Sequence, residues 1–115
     1  MTIYALSSGL GISGIAVIRI SGPEAKLVIS RLTEGPFPEP RIATLKKVNN
    51  INKTGMIDEG IILWFPGPKS YTGEDMAEIH VHGSKAVIQS LLKSCLLYTS
   101  PSPRDATLSR MPSSA

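Results

Sequence analysis

The sequence predicts an α/β fold, an α+β sandwich in which a mixed sheet of about five strands packs against two helices. Short runs of apolar and β-branched residues are separated by turns rich in Gly, Pro and Asn, which is the pattern of strands in a sheet. Two other segments repeat apolar residues with helical spacing. The chain has 115 residues, a length that corresponds to one small domain.

The strands are predicted from their apolar runs. They are Ile3–Leu6, Ile15–Ile20, Ile42–Val48, Ile57–Phe65 and Met76–Val81. The second of them is apolar on both faces except at Arg19, which is typical of a strand that is covered on both sides. The third and fourth flank a polar segment, residues 49–55, that is rich in Asn and ends in Gly, so this pair is predicted to form a hairpin.

Both helices are predicted from a serine cap followed by apolar residues on one face. In the first helix Ser21 is the expected cap, and the helix should end near Thr33–Gly35 because prolines follow at 36, 38 and 40. Its apolar residues are Ala25, Val28, Ile29 and Leu32. Ser84 is the expected cap of the second helix. The apolar face of that helix consists of Val87, Ile88, Leu91 and Leu92.

The composition describes a soluble globular chain, with 42% hydrophobic and 18% charged residues. No apolar run approaches the ~20 residues of a membrane-spanning helix. The net charge of +3 is dispersed, which favours an ordinary solvated surface over a nucleic-acid-binding patch. The N-terminus lacks the features of a secretory signal, so we expect a cytoplasmic protein without a membrane partner.

The composition changes after Ser94. All ten glycines precede this residue, whereas residues 95–115 are rich in Ser and Pro. Residues 95–105 resemble, letter for letter, the translation of a transposon-type sequencing adapter, and residues 109–115 resemble the translation of the flow-cell primer that follows it. We therefore expect residues 1–94 to be a truncated natural domain and residues 95–115 to be a non-native tail. On this interpretation the single cysteine, Cys95, carries no information about redox chemistry.

Two phosphate-binding motifs are excluded by their context. Residues 9–14 satisfy the pattern G-x-G-x-x-G, but they lead into a predicted strand instead of the helix whose N-terminus would meet a dinucleotide. The P-loop pattern, G-x-x-x-x-G-K-S/T, is absent from the 115 residues. We therefore expect no GTP hydrolysis by the chain itself.

Glu78, His80 and His82 alternate along the fifth predicted strand and therefore project from one face of the sheet. A His-x-His pair on a strand can chelate zinc, but a zinc site needs at least a third protein ligand, for which only Glu78 or Asp75 is close in sequence. The favoured interpretation is a polar row that faces solvent or a ligand, without a metal site.

Arg19 lies within an apolar strand, so its guanidinium needs an acidic partner or a polar cavity. Glu78 is the acidic residue on a comparable strand. Two interpretations are open on these grounds. The two residues form an internal ion pair, or they line a pocket and grip a ligand that carries opposite groups.

Five segments together resemble the N-terminal domain of the MnmE (TrmE) family of tRNA modification GTPases. They are Ile18–Gly22, Asp58–Gly60, Leu63–Pro68, Tyr71–Asp75 and the stretch from Glu78 to Gly83. The resemblance covers residues 2 to about 94. It departs from the family pattern at Ser84, where the family usually has a second glycine after the histidine.

The resemblance implies a folate-binding, dimer-forming domain similar to the tetrahydrofolate-binding domain of aminomethyltransferases. By motif position it implies folate contacts at Arg19 and Glu78, a cofactor such as 5-formyltetrahydrofolate or 5,10-methylenetetrahydrofolate, and no catalytic residue in this fragment. The adjacent N–H donors of a pterin suit a carboxylate, and a carbonyl or carboxylate elsewhere on folate suits an arginine. We therefore expect both side chains to converge on one cavity without forming a closed pair.

For the whole family protein, the resemblance implies a homodimer that acts with an MnmG-like flavoprotein on tRNA. The modification is of the 5-carboxymethylaminomethyl type, at the wobble uridine. A helical domain and a G domain that uses potassium and magnesium would lie outside this chain. Two alternatives remain for residues 1–94: a dimerisation module that does not bind folate, and a separate folate-binding protein similar to aminomethyltransferases.

Overall fold

A computed structural model describes residues 2–6, 14–50, 55–70, 72–96 and 100–101. These residues form six strands and two helices. In chain order they are β1 (Ile3–Leu6), β2 (Ile15–Ser21), α1 (Ala25–Leu32), β3 (Thr44–Asn49), β4 (Met56–Phe65), β5 (Met76–His82), α2 (Lys85–Cys95) and β6 (Ser100–Pro101). The predicted fold class is confirmed.

The described strands form one sheet in the order β3-β4-β5-β2-β1-β6. The first five are antiparallel to their neighbours, and the two residues of β6 run parallel to β1. After β2 the chain passes through α1 and the predicted β3–β4 hairpin, and then returns so that β5 lies between β4 and β2. This return places two segments distant in sequence, β2 and β5, side by side in the middle of the sheet.

The core lies on only one face of the sheet, where both helices pack. On β2 the residues Ala16, Ile18 and Ile20 are buried, whereas Ile15 is 57% exposed on the opposite face. Among the described residues, the expectation that β2 is covered on both faces is wrong, because the helices cover one face and no described layer covers the other. The remaining buried apolar residues of the core come from both helices and from β3, β4 and β5: Ala25, Val28, Ile29, Leu32, Val48, Ile62, Trp64, Ala77, Ile79, Val81, Ile88, Leu91 and Cys95.

The cap predicted for α1 is wrong. Ser21 is the last residue of β2, and its hydroxyl lies 2.7 Å from the hydroxyl of Thr72. The N-cap position belongs to Glu24, which makes no side-chain cap. The backbone N–H of Glu24 instead donates to the hydroxyl of Thr2 at 2.7 Å, so the start of the helix is fixed by a residue distant in sequence.

The other helix boundaries agree with the sequence. The C-cap of α1 is Thr33, within the predicted range. Ser84 is the N-cap of α2, and its hydroxyl accepts a hydrogen bond from the backbone N–H of Val87 at 3.2 Å. β3 begins two residues later than predicted, at Thr44, because the chain turns at Arg41, whose φ of 62° interrupts the extended run.

Several sequence features lie partly or wholly outside the described residues. Of the G-x-G-x-x-G segment only Gly14 is described, and β2 follows it directly, as predicted. The middle of the β3–β4 turn and most of residues 95–115 lie outside, so the boundary after Ser94 stays a prediction. Neither described helix is long and apolar enough to cross a membrane.

Candidate functional site

A row of polar side chains crosses the open face of the sheet, opposite the helices. Glu78, His80 and His82 lie on this face of β5, because the alternate residues Ile79 and Val81 are buried under the helices. Arg19 lies on the same face of β2, directly across the ladder from Glu78. The structure therefore brings together the two residues implied as ligand contacts, together with both histidines of the chain.

Arg19 and Glu78 form a direct ion pair. The Nε atom of Arg19 donates to Oε2 of Glu78 at 2.8 Å, and the two side chains are 47% and 14% exposed. The expectation that they converge without a closed pair is therefore wrong. Facing residues of an antiparallel ladder have Cβ atoms only about 5 Å apart, so opposite charges at these two positions meet without a ligand between them.

The second oxygen of Glu78 is engaged by His80. The Nε2 atom of His80 lies 3.0 Å from Oε1 of Glu78, so that each carboxylate oxygen has its own N–H donor. Burial alone would raise the pKa of Glu78, but the hydrogen bonds from His80 and Arg19, with the charges of both, outweigh it and lower the pKa. Glu78 is therefore a carboxylate held to accept two N–H groups side by side.

Both oxygens of Glu78 are already engaged by N–H donors, so any ligand that used this carboxylate would have to displace one of them. Binding would require Arg19 to leave Oε2. Its guanidinium is half exposed, so the side chain can turn toward solvent or toward a polar group of the ligand.

A second carboxylate–histidine pair lies at the end of the row. His82 contacts Asp58 of β4, with Nδ1 at 2.8 Å from Oδ2 and 3.1 Å from Oδ1, and its backbone N–H donates to Oδ2 at 2.9 Å. Burial opposes ionisation of Asp58, but hydrogen bonds from the backbone and ring of His82 and the backbone of Glu59 outweigh it and lower its pKa. This pair is not predicted from the sequence, because the contact depends on the register of β4 against β5. The available signal was that the fourth and fifth strands follow each other in the chain, since sequential strands often pair.

The structure gives the zinc alternative no third ligand. Asp75, one of the two candidates, accepts a hydrogen bond from the backbone N–H of Gly67 at 3.0 Å, and its carbonyl accepts from the N–H of Gly22 at 2.9 Å. Asp75 thus anchors its own loop to the β2–α1 turn. Within the described residues no group of three His, Cys, Asp or Glu side chains is placed to hold a metal ion.

Apolar side chains surround the polar row on the open face. Ile15 of β2 is 57% exposed and Leu45 of β3 is 61% exposed. Between them on β4, Ile61, Leu63 and Phe65 are only partly buried. Large apolar side chains on an uncovered sheet face are a recurring feature of surfaces that meet another protein.

The chain was compared with known proteins. The family model described as the N-terminus of the GTP-binding protein TrmE matches residues 2–107. A tRNA modification GTPase MnmE from Pelagibacter ubique is 63% identical over 103 residues, which cover 84% of this chain and 23% of the relative.

Relatives from eukaryotes match as well. A mitochondrial 5-taurinomethyluridine tRNA synthase subunit, GTPB3, from Danio rerio is 50% identical over 92 residues, covering 80% of this chain and 18% of the relative. A mitochondrial tRNA modification GTPase, gtpbp3, from Dictyostelium discoideum is 41% identical over 110 residues, covering 90% of this chain and 22% of the relative. The chain thus spans only about a fifth of the length of these relatives.

Proposed function

This chain belongs to the family of TrmE N-terminal domains, and from that membership we propose that it is the part of a tRNA modification GTPase that binds a tetrahydrofolate and forms a homodimer. When bound, the folate supplies a one-carbon unit. Arg19 and Glu78 are the proposed contacts. The observation that carries the proposal is the placement of both residues, paired, on the open face of the sheet.

The activity of the whole protein is proposed from its relatives. The Pelagibacter and Dictyostelium relatives are named as tRNA modification GTPases. The longer protein to which this domain belongs would act on the wobble uridine of tRNA in a 5-carboxymethylaminomethyl-type modification, together with an MnmG-like flavoprotein. Nucleotide, potassium and magnesium would bind to its G domain.

The electrostatics of the row support folate binding. Glu78 is 14% exposed and ionised, and it accepts donors on both oxygens. A buried carboxylate keeps its charge only while such donors are present. The N–H donors of a pterin would replace those of Arg19 and His80. After this exchange both oxygens of the Glu78 carboxylate would still accept hydrogen bonds.

The apolar surroundings of the row support homodimer formation. Ile15 and Leu45 expose more than half of their surface on a face that has no covering layer among the described residues. A second copy of the chain would bury these side chains and place the polar row of each copy close to the interface. This observation also favours the alternative of a dimerisation module without folate.

Titration of 5-formyltetrahydrofolate into the chain by calorimetry tests the proposal. We expect saturable binding by the wild type, and a loss of at least about tenfold in affinity for Arg19→Ala and for Glu78→Gln, because each removes a charge-assisted contact. Glu39→Gln and Lys93→Ala are matched controls that change exposed charges outside β2 and β5.

The alternatives give different results in the same experiment. Absence of wild-type binding, with a dimer still present in analytical ultracentrifugation, would favour the dimerisation module. Binding by a protein whose full reading frame lacks a G domain would favour a separate folate-binding protein.

A further inference from the structure

Asp58 contacts both the ring and the backbone N–H of His82, although the side chain of His82 is exposed. His82 is 74% exposed, yet its ring and its backbone N–H are both held by one carboxylate that is itself only 16% exposed. Fixing an exposed side chain costs conformational entropy and gives no burial in return. The outward ring nitrogen, Nε2, has no hydrogen-bond partner among the described residues.

Part of this contact has a structural explanation. The β4–β5 ladder stops at the pair Ile61 and His80, so the N–H of His82 has no main-chain partner on β4. The carboxylate of Asp58 takes that N–H at 2.9 Å and extends the pairing. That role needs one hydrogen bond to the backbone and does not need the imidazole ring, which could point freely into solvent.

The ring contact has a chemical consequence. Because an ionised carboxylate only accepts hydrogen bonds, Asp58 selects the tautomer of neutral His82 that carries its proton on Nδ1. The lone pair then lies on Nε2, on a side chain that is 74% exposed. A carboxylate that orients a histidine so that its second ring nitrogen keeps an accessible lone pair is the arrangement of a general base.

We propose that Asp58 and His82 form an acid–base dyad that takes a proton from an N–H or O–H nucleophile during one-carbon transfer. The Nε2 lone pair of His82 forms the new bond to hydrogen, and the electron pair of the broken N–H or O–H bond stays on the nucleophile. The resulting imidazolium keeps its Nδ1–H on Asp58. This inference rests on the proposed function, because the nucleophile would meet the one-carbon unit of a folate held at Glu78.

The spacing along β5 is compatible with this role. Glu78 and His82 are four residues apart on one strand, so their Cα atoms are separated by about 13 Å at the usual rise of a strand. An extended folate is longer than this separation. A molecule with its pterin at Glu78 can therefore lie along the row so that its reactive part and a second substrate come near His82.

The tautomer is tested by nitrogen NMR of the imidazole rings in the 115-residue chain. We expect neutral His82 to be predominantly protonated on Nδ1, and Asp58→Ala to shift it to the Nε2–H form that free histidine prefers. His80, whose Nε2 faces Glu78, is the internal reference and should keep its Nε2–H form in both proteins. A wild-type His82 in the Nε2–H form would overturn the dyad.

Proton transfer is tested in the full-length enzyme that carries this domain, with single-turnover modification of tRNA as the readout. We expect His82→Ala to lower the rate by about a hundredfold or more, to leave the folate dissociation constant within about twofold, and to regain part of the rate when imidazole is added. A structural role would not be rescued by imidazole. Lys93→Ala is the control for a change on the far side of the domain.

The outcomes separate this inference from the proposed function. A His82→Ala enzyme that keeps its rate within threefold while the wild type binds folate would refute the dyad and leave the folate site standing. A wild type that does not bind folate would refute the folate site, and a rate loss rescued by imidazole would then assign the dyad to a different one-carbon donor.

Discussion

Arg19 and Glu78 face each other across the β2–β5 ladder and are joined by a 2.8 Å hydrogen bond between Nε and Oε2. The pair lies in the middle of the sheet, between two strands that are distant in sequence. Any ligand that uses the carboxylate of Glu78 must compete with this bond. The binding of such a ligand is therefore coupled to the opening of the Arg19–Glu78 pair.

Acid should destabilise the domain through its two histidine-linked carboxylates. The pKa values of Glu78 and Asp58 lie below the ordinary 4.5 and 3.8. Their stabilising effect is therefore fully present above about pH 5 and is lost as the pH falls through the ordinary values toward the lowered ones. Urea unfolding between pH 3 and pH 6 should show this loss. Glu78→Gln should flatten the pH dependence, and Glu39→Gln should leave it unchanged.

Gly60→Ala should destabilise the centre of the sheet. A methyl group at this position would overlap the carbonyl oxygen of His80 on the neighbouring strand. We expect the free energy of unfolding to fall by about 2 kcal/mol or more, as for an overpacked core position. Gly14→Ala is the control, because a Cβ there has no neighbour within 4 Å. Equal losses for the two variants in urea unfolding would contradict this prediction.

Ser84, the N-cap of α2, and Ser90, inside the helix, should respond oppositely to the same substitution. Ser84→Ala removes the cap on the N–H of Val87 and should lower the free energy of unfolding by about 1 kcal/mol. Ser90 is exposed inside the helix, so Ser90→Ala should raise it by a few tenths of a kcal/mol, since Ala has the higher helix propensity. Urea denaturation followed by circular dichroism measures both changes, and a stabilising Ser84→Ala would rule out the cap.

Charging the open face should weaken self-association. Ile15→Glu and Leu45→Glu place a carboxylate in the apolar surface proposed as the dimer contact, and the charge would lose its hydration there. We expect either variant to be monomeric in sedimentation velocity at concentrations where the wild type is a dimer. Leu96→Glu, at an exposed position beyond the end of α2, is the matched control. Two open-face variants that dimerise as the wild type does would place the interface elsewhere.

Cys95 should be protected from alkylation in the folded chain. Burial raises its pKa to about 12, so the reactive thiolate is rare near neutral pH. Iodoacetamide should modify it at least about a hundredfold more slowly in buffer than in urea. In a Cys95→Ser background, the control variant Lys93→Cys places a thiol at an exposed position. This thiol should react at the same rate in buffer and in urea. Rapid native-state modification of Cys95 would show that the last turn of α2 is open.

Local pattern was sufficient to predict the layers of this fold. The alternation in β5 identified which of its residues face the helices, and the apolar spacing of α2 with the Ser84 cap identified its start. Ser21 was wrongly predicted as a helix cap, because the local sequence around it is compatible both with the end of a strand and with the start of a helix. The actual partner of the first turn of α1 is Thr2, which only the folded arrangement brings within reach.

The sequence was sufficient to predict which residues belong to the candidate site, but not how their side chains contact each other. Arg19 and Glu78 could be matched because each was a charge on an apolar strand. Their ion pair was one of two interpretations that the residues left open, and only the register of β2 against β5 decides between them. The contact of Asp58 with His82 likewise depends on where the β4–β5 ladder ends.

Because the described helices pack on one face of the sheet, this domain is suited as a scaffold for engineered binding sites on the other face. Along β2 and β5 the buried core residues alternate with residues of the open face, so two separate sets of positions share the same strands. A library that randomises Arg19, Glu78, His80 and His82 leaves every buried contact of the core in place. Most members of such a library should therefore fold, and new binding specificities could be selected on a surface already framed by apolar side chains.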